Sequence, residues 1–171
     1  VLGIIPGTDQ PSQKAFETQL WHKLRSLDPS RPVYLESESK RVGNVTVPES
    51  LIAAMRVSPC HLLTMDQASR VRLLMRDYDF FVKDSHLFSD RLNTLVTLLG
   101  RDTIETWQRL AHAGESAQVV GQLLGGHYDP KYFESMERNF TLYQQAHALN
   151  VADDSMASIE MAAQLIVKAD A

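Results

Sequence analysis

The chain predicts an α/β fold: a parallel sheet flanked by helices in its first half, and helices alone through most of its second. Three observations carry that expectation. Between Pro11 and Val82, stretches with apolar residues at helical spacing alternate with short apolar runs, in the order helix, strand, helix, strand that builds βαβ units. Residues 33–35, Val-Tyr-Leu, lie between Pro32 and the polar Glu36, Ser37, Glu38 and Ser39, which suits a strand covered on both faces. From His86 onward helical spacing continues, punctuated by glycine, with no strand signal before Leu142.

Each element follows from local chemistry. Residues 1–6 are apolar and end at a Pro6-Gly7 turn. Pro11 opens the first helix, where a missing N–H costs nothing; Phe16, Leu20, Leu24 and Leu27 form its stripe and Pro29 closes it. After the strand at 33–35 and a Gly43-Asn44 turn, Pro48 begins a helix through Met55, Pro59 ends the next segment, and residues 60–64 form a second strand. Asp66 caps a helix whose stripe is Val71, Leu74, Met75, Tyr78 and Val82. Phe88, Leu92, Leu95, Val96 and Leu99 make one further stripe, ending at Gly100. Ile104, Trp107, Leu110 and Ala111 make another, ending at Gly114, and a third helix, 117–124, stops at Gly125-Gly126. Asp129 then caps a helix with Pro130 at its first position and Tyr132, Phe133, Met136 and Phe140 on its inner face. Residues 142–151 return as an edge strand, and Asp154 or Ser155 caps a closing helix that buries Ile159, Ala162, Ala163 and Ile166. The expected organisation is an α/β part at 1–85, a helical subdomain at 86–141 and a closing strand and helix at 142–171. The helical part is either a lid over the sheet edge or plain packing.

The first candidate site is the end of the strand at 33–35. In open α/β sheets ligands collect beyond the carboxyl ends of strands. If extended geometry persists past Leu35, Glu36 and Glu38 fall on one side and Ser37 and Ser39 on the other, with the cations Lys40 and Arg41 next to them. The competing reading is a solvated loop with an ordinary turn glycine. On the 66–82 helix, Arg70, Arg72 and Arg76 fall largely off the apolar stripe, as a solvated face paired with Asp77 and Asp79 would.

Composition bounds the rest. With 171 residues, 44% of them hydrophobic, the chain is large enough for one compact domain. A net charge of -4 argues against a generally basic nucleic-acid binder. The charge is uneven: residues 23–91 hold 11 Lys/Arg against 9 Asp/Glu, and residues 92–171 hold 5 against 10, so any surface facing a polyanion is expected in the first half. A single cysteine, Cys60, excludes an internal disulfide and reads as an inert, buried thiol of a reducing cytoplasm. Six scattered histidines give no metal-ligand spacing, and no apolar run approaches the ~20 residues of a membrane span.

Five motifs, in order, give the chain a resemblance. Gln10, Pro11, Gln13, Phe16 and Glu17 come first; then Glu36, Glu38, Ser39, Lys40, Arg41, Val42 and Gly43; then Pro48, Leu51 and Met55. Arg70, Leu74 and Tyr78 follow, and His127, Tyr128, Asp129, Pro130 and Tyr132 complete the set. The chain resembles bacterial tRNA 2-selenouridine synthases, with Val42 in place of the usual isoleucine. That family resembles a rhodanese-like domain followed by a P-loop domain. Neither the rhodanese-like domain nor a Gly-x-x-x-x-Gly-Lys-Ser/Thr phosphate loop is present here, so the chain reads as the remnant of a P-loop-type parallel sheet with a helical insertion, cut from a longer enzyme at Val1.

The resemblance implies that sulfur at the 2-position of a wobble 2-thiouridine in tRNA is replaced by selenium. Selenophosphate and geranyl diphosphate would be co-substrates, through a geranylated intermediate, with no cofactor tightly bound to this piece. It marks Glu36 and Glu38 as catalytic candidates. For phosphate or tRNA it marks Gln10, Ser12, Gln13, Ser39, Lys40, Arg41, Arg70, Tyr128 and Tyr132, and Arg138, on the same helix as Tyr132, could reach the same pocket; Gln10, Ser12 and Gln13 equally serve to cap the first helix. The piece alone is expected to be inactive. A P-loop kinase or nucleotide hydrolase, or a non-catalytic tRNA-binding scaffold, remain the alternatives.

Overall fold

Ser12 starts the first helix of the chain, its hydroxyl accepting the N–H of Ala15 at 3.3 Å. A computed structural model describes residues 9–37 and 40–170, in two units. The smaller comprises residues up to 60 together with 135–146 and Asp170; the larger comprises 61–134 and 147–169.

In the smaller unit, α1 (Gln13–Arg25) is followed by a hairpin of β1 (Arg41–Val42) and β2 (Val45–Thr46) and by α2 (Glu49–Arg56). The hairpin loop is the two residues Gly43-Asn44, with φ of +61° at Gly43 and no positive φ at Asn44, the pattern of a type II′ turn. Pro48 precedes α2, and Glu49 in its first turn complements the helix dipole. At the other end of α2, the carbonyl of Arg56 accepts both the N–H of Thr141 at 2.9 Å and its hydroxyl at 3.1 Å. Val45, Ile52, Met136 and Phe140 are the unit's buried apolar side chains among the described residues.

Residues 33–35 depart from expectation. They are irregular, pair with no strand among the described residues, and leave Val33, Tyr34 and Leu35 49%, 44% and 48% exposed. An apolar run becomes a buried strand only when a neighbouring strand takes its N–H and C=O groups, and among the described residues no strand is paired with it.

The larger unit holds the parallel pairing. β3 (His61–Thr64) lies beside β4 (His147–Asn150), with His61 opposite His147 and Thr64 opposite Asn150. Between them come α3 (Gln67–Asp77), α4 (Asp79–Lys83), α5 (Ser85–Asn93), α6 (Val96–Leu99), α7 (Arg101–His112), α8 (Ser116–Leu123) and α9 (Asp129–Asn139). α10 (Met156–Ala169) closes the unit, capped by Ser155, whose hydroxyl accepts the N–H of Ser158 at 3.2 Å. The fold is mixed α/β: a two-stranded parallel sheet flanked by helices. Phe81, Phe88, Leu92, Ile104, Trp107 and Val119 are buried where α5 packs on α7 and α7 on α8, and Leu149, Val151 and Ala162 form a second core at β4 and α10. The stripe expected to run unbroken from Phe88 to Leu99 is split at Thr94-Leu95 into α5 and α6. Arg72 and Arg76 both reach Asp154, Nε of Arg72 donating to its carboxylate at 2.9 Å and Nη1 of Arg76 at 3.3 Å; of the partners expected from sequence, Asp77 lies 4.0 Å from Arg76 and Asp79 pairs with Lys83.

The helix expected to stop at Gly125-Gly126 does not stop. It continues from α8 through one π turn, Leu124–Tyr128, directly into α9, so Asp129 lies inside the helix and does not cap it. Pro130 explains the π turn. It has no N–H for the carbonyl four residues back, and the ladder steps to a five-residue spacing just before it, the N–H of Asp129 reaching the carbonyl of Leu124. Neither glycine is required by backbone conformation, since neither has a positive φ, and a Cβ would meet only ordinary contact at Gly125 and open space at Gly126. In a helix each costs about 1 kcal/mol relative to alanine.

Candidate functional site

The motif residues gather in two places, one in each unit. In the smaller unit the hairpin is held from outside by two glutamine side chains. Gln13 accepts the N–H of Thr46 at 2.8 Å and donates to the carbonyl of the same residue at 2.8 Å, as a neighbouring strand would. Gln10 accepts the N–H of Asn44 at 2.6 Å and approaches the carbonyl of Val42 at 3.4 Å. Gly43 is confined as a result: a Cβ there would lie 2.2 Å from Nε2 of Gln10, in addition to needing a positive φ.

The cations at this end are engaged locally. Lys40 pairs with Glu49 at the start of α2, which holds the Glu49 carboxyl below its usual range, chiefly through that hydrogen bond. Nε of Arg41 donates to the carbonyl of Gly43 at 3.0 Å. Nearby, the Tyr34 hydroxyl donates to the Asp170 carboxylate at 2.9 Å; desolvation first, then that bond, push the phenol up. Glu36 lies at an otherwise apolar pocket of about 170 Å³, walled by Phe16, Leu20, Val42, Val47, Leu51 and Met55 among others. A carboxylate at the rim of a greasy hollow is suited to hold the polar end of an amphipathic molecule. Glu38 and Ser39 lie outside the described residues.

The second gathering is in the larger unit. Asp66 caps α3 by accepting the N–H of Ser69 at 3.0 Å, and Gln67 ties α3 to α8 by donating to the carbonyl of Gly121 at 2.7 Å. One turn on from Gln67, Arg70 makes a fork: Nη1 to Oδ2 of Asp129 at 2.8 Å and Nη2 to Oδ1 at 2.7 Å. Both side chains are about three-quarters buried, at 29% and 23% exposure. Asp129, with a smaller contribution from Tyr128, pushes the Arg70 guanidinium up and keeps it charged. Tyr128 and Tyr132, one turn apart, stack with centroids 5.9 Å apart and planes 13° from parallel.

Arg70, Tyr128 and Tyr132, selected by motif, thus fall on two adjoining helices of one unit, and Asp129 joins them. Sequence reasoning assigned Asp129 to a helix cap; its place between the two tyrosines of one motif, with Arg70 in the motif before it, was the available signal. Arg138 is exposed, near the end of α9, in the smaller unit. Cys60, directly before β3, is half-buried, its thiol pushed up by desolvation. Among the described residues no three His, Cys, Asp or Glu side chains assemble as a metal site, and no helix is long and apolar enough to cross a membrane.

Residues 2–87 match the family model described as the tRNA 2-selenouridine synthase AAA domain. Over 73 residues the chain is 36% identical to the tRNA 2-selenouridine synthase of Marinobacter nauticus, an alignment that covers 42% of this chain and 20% of that relative. The chain therefore matches about a fifth of the length of that curated relative. No solved structure matches.

Proposed function

This chain belongs to the tRNA 2-selenouridine synthase AAA-domain family, and from that premise we propose that it contributes the phosphate- and tRNA-binding part of an enzyme that replaces sulfur by selenium in wobble 2-thiouridine. Its α/β architecture is then part of a P-loop domain acting in the cytoplasm beside a rhodanese-like domain. Selenophosphate and geranyl diphosphate are the co-substrates, and the reaction passes through a geranylated tRNA.

The observation that carries this reading is the fork of Arg70 on Asp129, the residue next to Tyr128 of the stacked Tyr128–Tyr132 pair. A guanidinium fork grips phosphate in the plane it now offers to a carboxylate. A stacked tyrosine pair next to it offers an aromatic face to a splayed-out base. Glu36 and Glu38 are the candidate catalytic carboxylates, Lys40 and Arg41 further phosphate contacts, and Ser39, Arg138, Gln10, Ser12 and Gln13 the remaining candidates for phosphate or tRNA.

The test is nucleoside mass analysis of bulk tRNA from cells lacking the full-length gene, then restored with the intact gene, with Arg70→Ala or with Glu36→Ala. Loss of 2-selenouridine on deletion, regained with the intact gene and not with the variants, is the expected result. Unchanged 2-selenouridine after deletion overturns the reading, and full restoration by Arg70→Ala removes that side chain from it.

A further inference from the structure

The segment around Asp129 combines three features that a purely structural ion pair does not need. Its carboxylate occupies both outer nitrogens of the Arg70 fork, the geometry in which a guanidinium also binds two oxygens of a phosphate. It is carried on a π turn whose hydrogen-bond ladder is interrupted by Pro130. The two glycines of that turn, Gly125 and Gly126, have neither a positive φ nor a close neighbour to require them. What glycine does supply there is a helix that bends easily. By contrast Arg72 and Arg76, on the same helix as Arg70, meet Asp154 outside any helix, in the segment that leads into α10.

We propose that Arg70 is the seat of a phosphate-binding subsite for which Asp129 is the internal competitor, and that the π turn at residues 124–128 is the hinge on which Asp129 leaves. This rests on the phosphate-binding reading of the site and adds its regulation. When a phosphate group takes the fork, the Asp129 carboxylate must move off, because two anions cannot share one guanidinium plane without mutual repulsion. Bending at Gly125-Gly126 moves Asp129 together with Tyr128 and Tyr132, so phosphate capture and repositioning of the aromatic pair are one event. The phosphate belongs either to a free diphosphate or to an RNA backbone, and both present the same oxygens.

The experiment uses the 171-residue chain and two probes, inorganic pyrophosphate and a short RNA hairpin, titrated by calorimetry at low salt. Asp129→Asn is expected to bind one or both about tenfold more tightly than the unchanged chain, since the competitor's charge is gone. Adding Arg70→Gln to it is expected to abolish that gain. Tightening for pyrophosphate alone assigns a free diphosphate; tightening for RNA alone assigns the backbone. No tightening with either probe, or weaker binding, makes Asp129 a positioning residue and overturns the proposal.

A second pair of variants tests the hinge and is expected to fold at least as well as the parent. Gly125→Ala/Gly126→Ala, which stiffens the turn, is expected to weaken binding about threefold to tenfold when Asp129 is present and to leave binding unchanged in the Asp129→Asn background. Equal weakening in both backgrounds, or none in either, overturns the hinge. Because these readouts need no selenium chemistry, they hold or fail separately from the tRNA analysis above: competition at Arg70 in a protein that makes no 2-selenouridine would leave this subsite standing and that function refuted.

Discussion

The side-chain amide of Gln13 satisfies both backbone groups of Thr46, N–H and C=O, each at 2.8 Å. A residue in the first turn of a helix thus does for an edge strand what a third strand would do. Gln13→Ala is expected to destabilise the smaller unit by about 1–2 kcal/mol, two exposed hydrogen bonds' worth. Gln13→Glu keeps an acceptor for the Thr46 N–H, loses the donor and faces Glu17, and should fall no higher than the alanine variant. Chemical denaturation of the three proteins checks the order.

Gly43 is held by two constraints with separable costs. Gly43→Ala adds the penalty of a positive φ, about 1–2 kcal/mol, and a collision with the Gln10 amide. Adding Gln10→Ala removes the collision alone. The double variant is therefore expected to be more stable than the sum of the two single losses predicts, and strict additivity in the cycle would show that the amide yields freely.

Removing the Asp129 carboxylate leaves a charged, mostly buried guanidinium without its fork partner. Asp129→Ala is expected to lower stability by about 1–2 kcal/mol, the partial exposure of both groups keeping it below the cost of a fully buried pair. Arg70→Met/Asp129→Leu should recover most of that loss, read from the melting temperature.

Acid should unfold the chain through its caps. Asp66 is held below its usual 3.8, first by the Ser69 hydroxyl; Glu49 is lowered by Lys40; and Asp153 is lowered to about 2, first by Ser155 and Ser158. Each group has a folded-state pKa below its unfolded one, so its contribution is complete above the unfolded value and disappears as pH falls through the folded value. The melting temperature is expected to be insensitive to these groups above pH ~5 and to fall from about pH 4 toward 2. Asp153→Asn should flatten the lowest part of that fall, and an unaltered acid profile would exclude it as a contributor.

In the full-length protein, Arg41→Ala is expected to weaken tRNA binding and to reduce the slope of log affinity against log salt by about one, as loss of one phosphate contact does. An unchanged slope would confine Arg41 to its bond with the Gly43 carbonyl.

Helices were legible wherever a cap and an apolar stripe agreed, as at Asp66 with α3 and Ser155 with α10. The two strands of the parallel pair were legible as short segments between helices, at 60–64 and within 142–151, but their direct pairing was not, since residues 33–35 were expected at the centre of the sheet. Residues 33–35 misled because composition reports what a segment prefers to bury, while a strand exists only if a neighbour is aligned with it. Gly125-Gly126 misled for a related reason. Two glycines and a proline are local stop signals, and the tertiary anchors on this helix, Gln67 to Gly121 and Arg70 to Asp129, come from residues more than fifty positions away. At the candidate site, motif spacing selected Arg70, Tyr128 and Tyr132 as individuals. The carboxylate that engages the arginine emerged only in three dimensions.

The π turn also sets the rotational phase of everything after it. An α-helix advances about 100° per residue, and the π turn takes one residue more than an α turn, so Asp129 and Tyr132 sit about 100° short of the phase that unbroken α spacing would give them. Deleting Gly126 would let the ladder return to ordinary α spacing and leave the Asp129 carboxylate on the Arg70 side, whereas straightening the turn at its present length would swing that carboxylate off it.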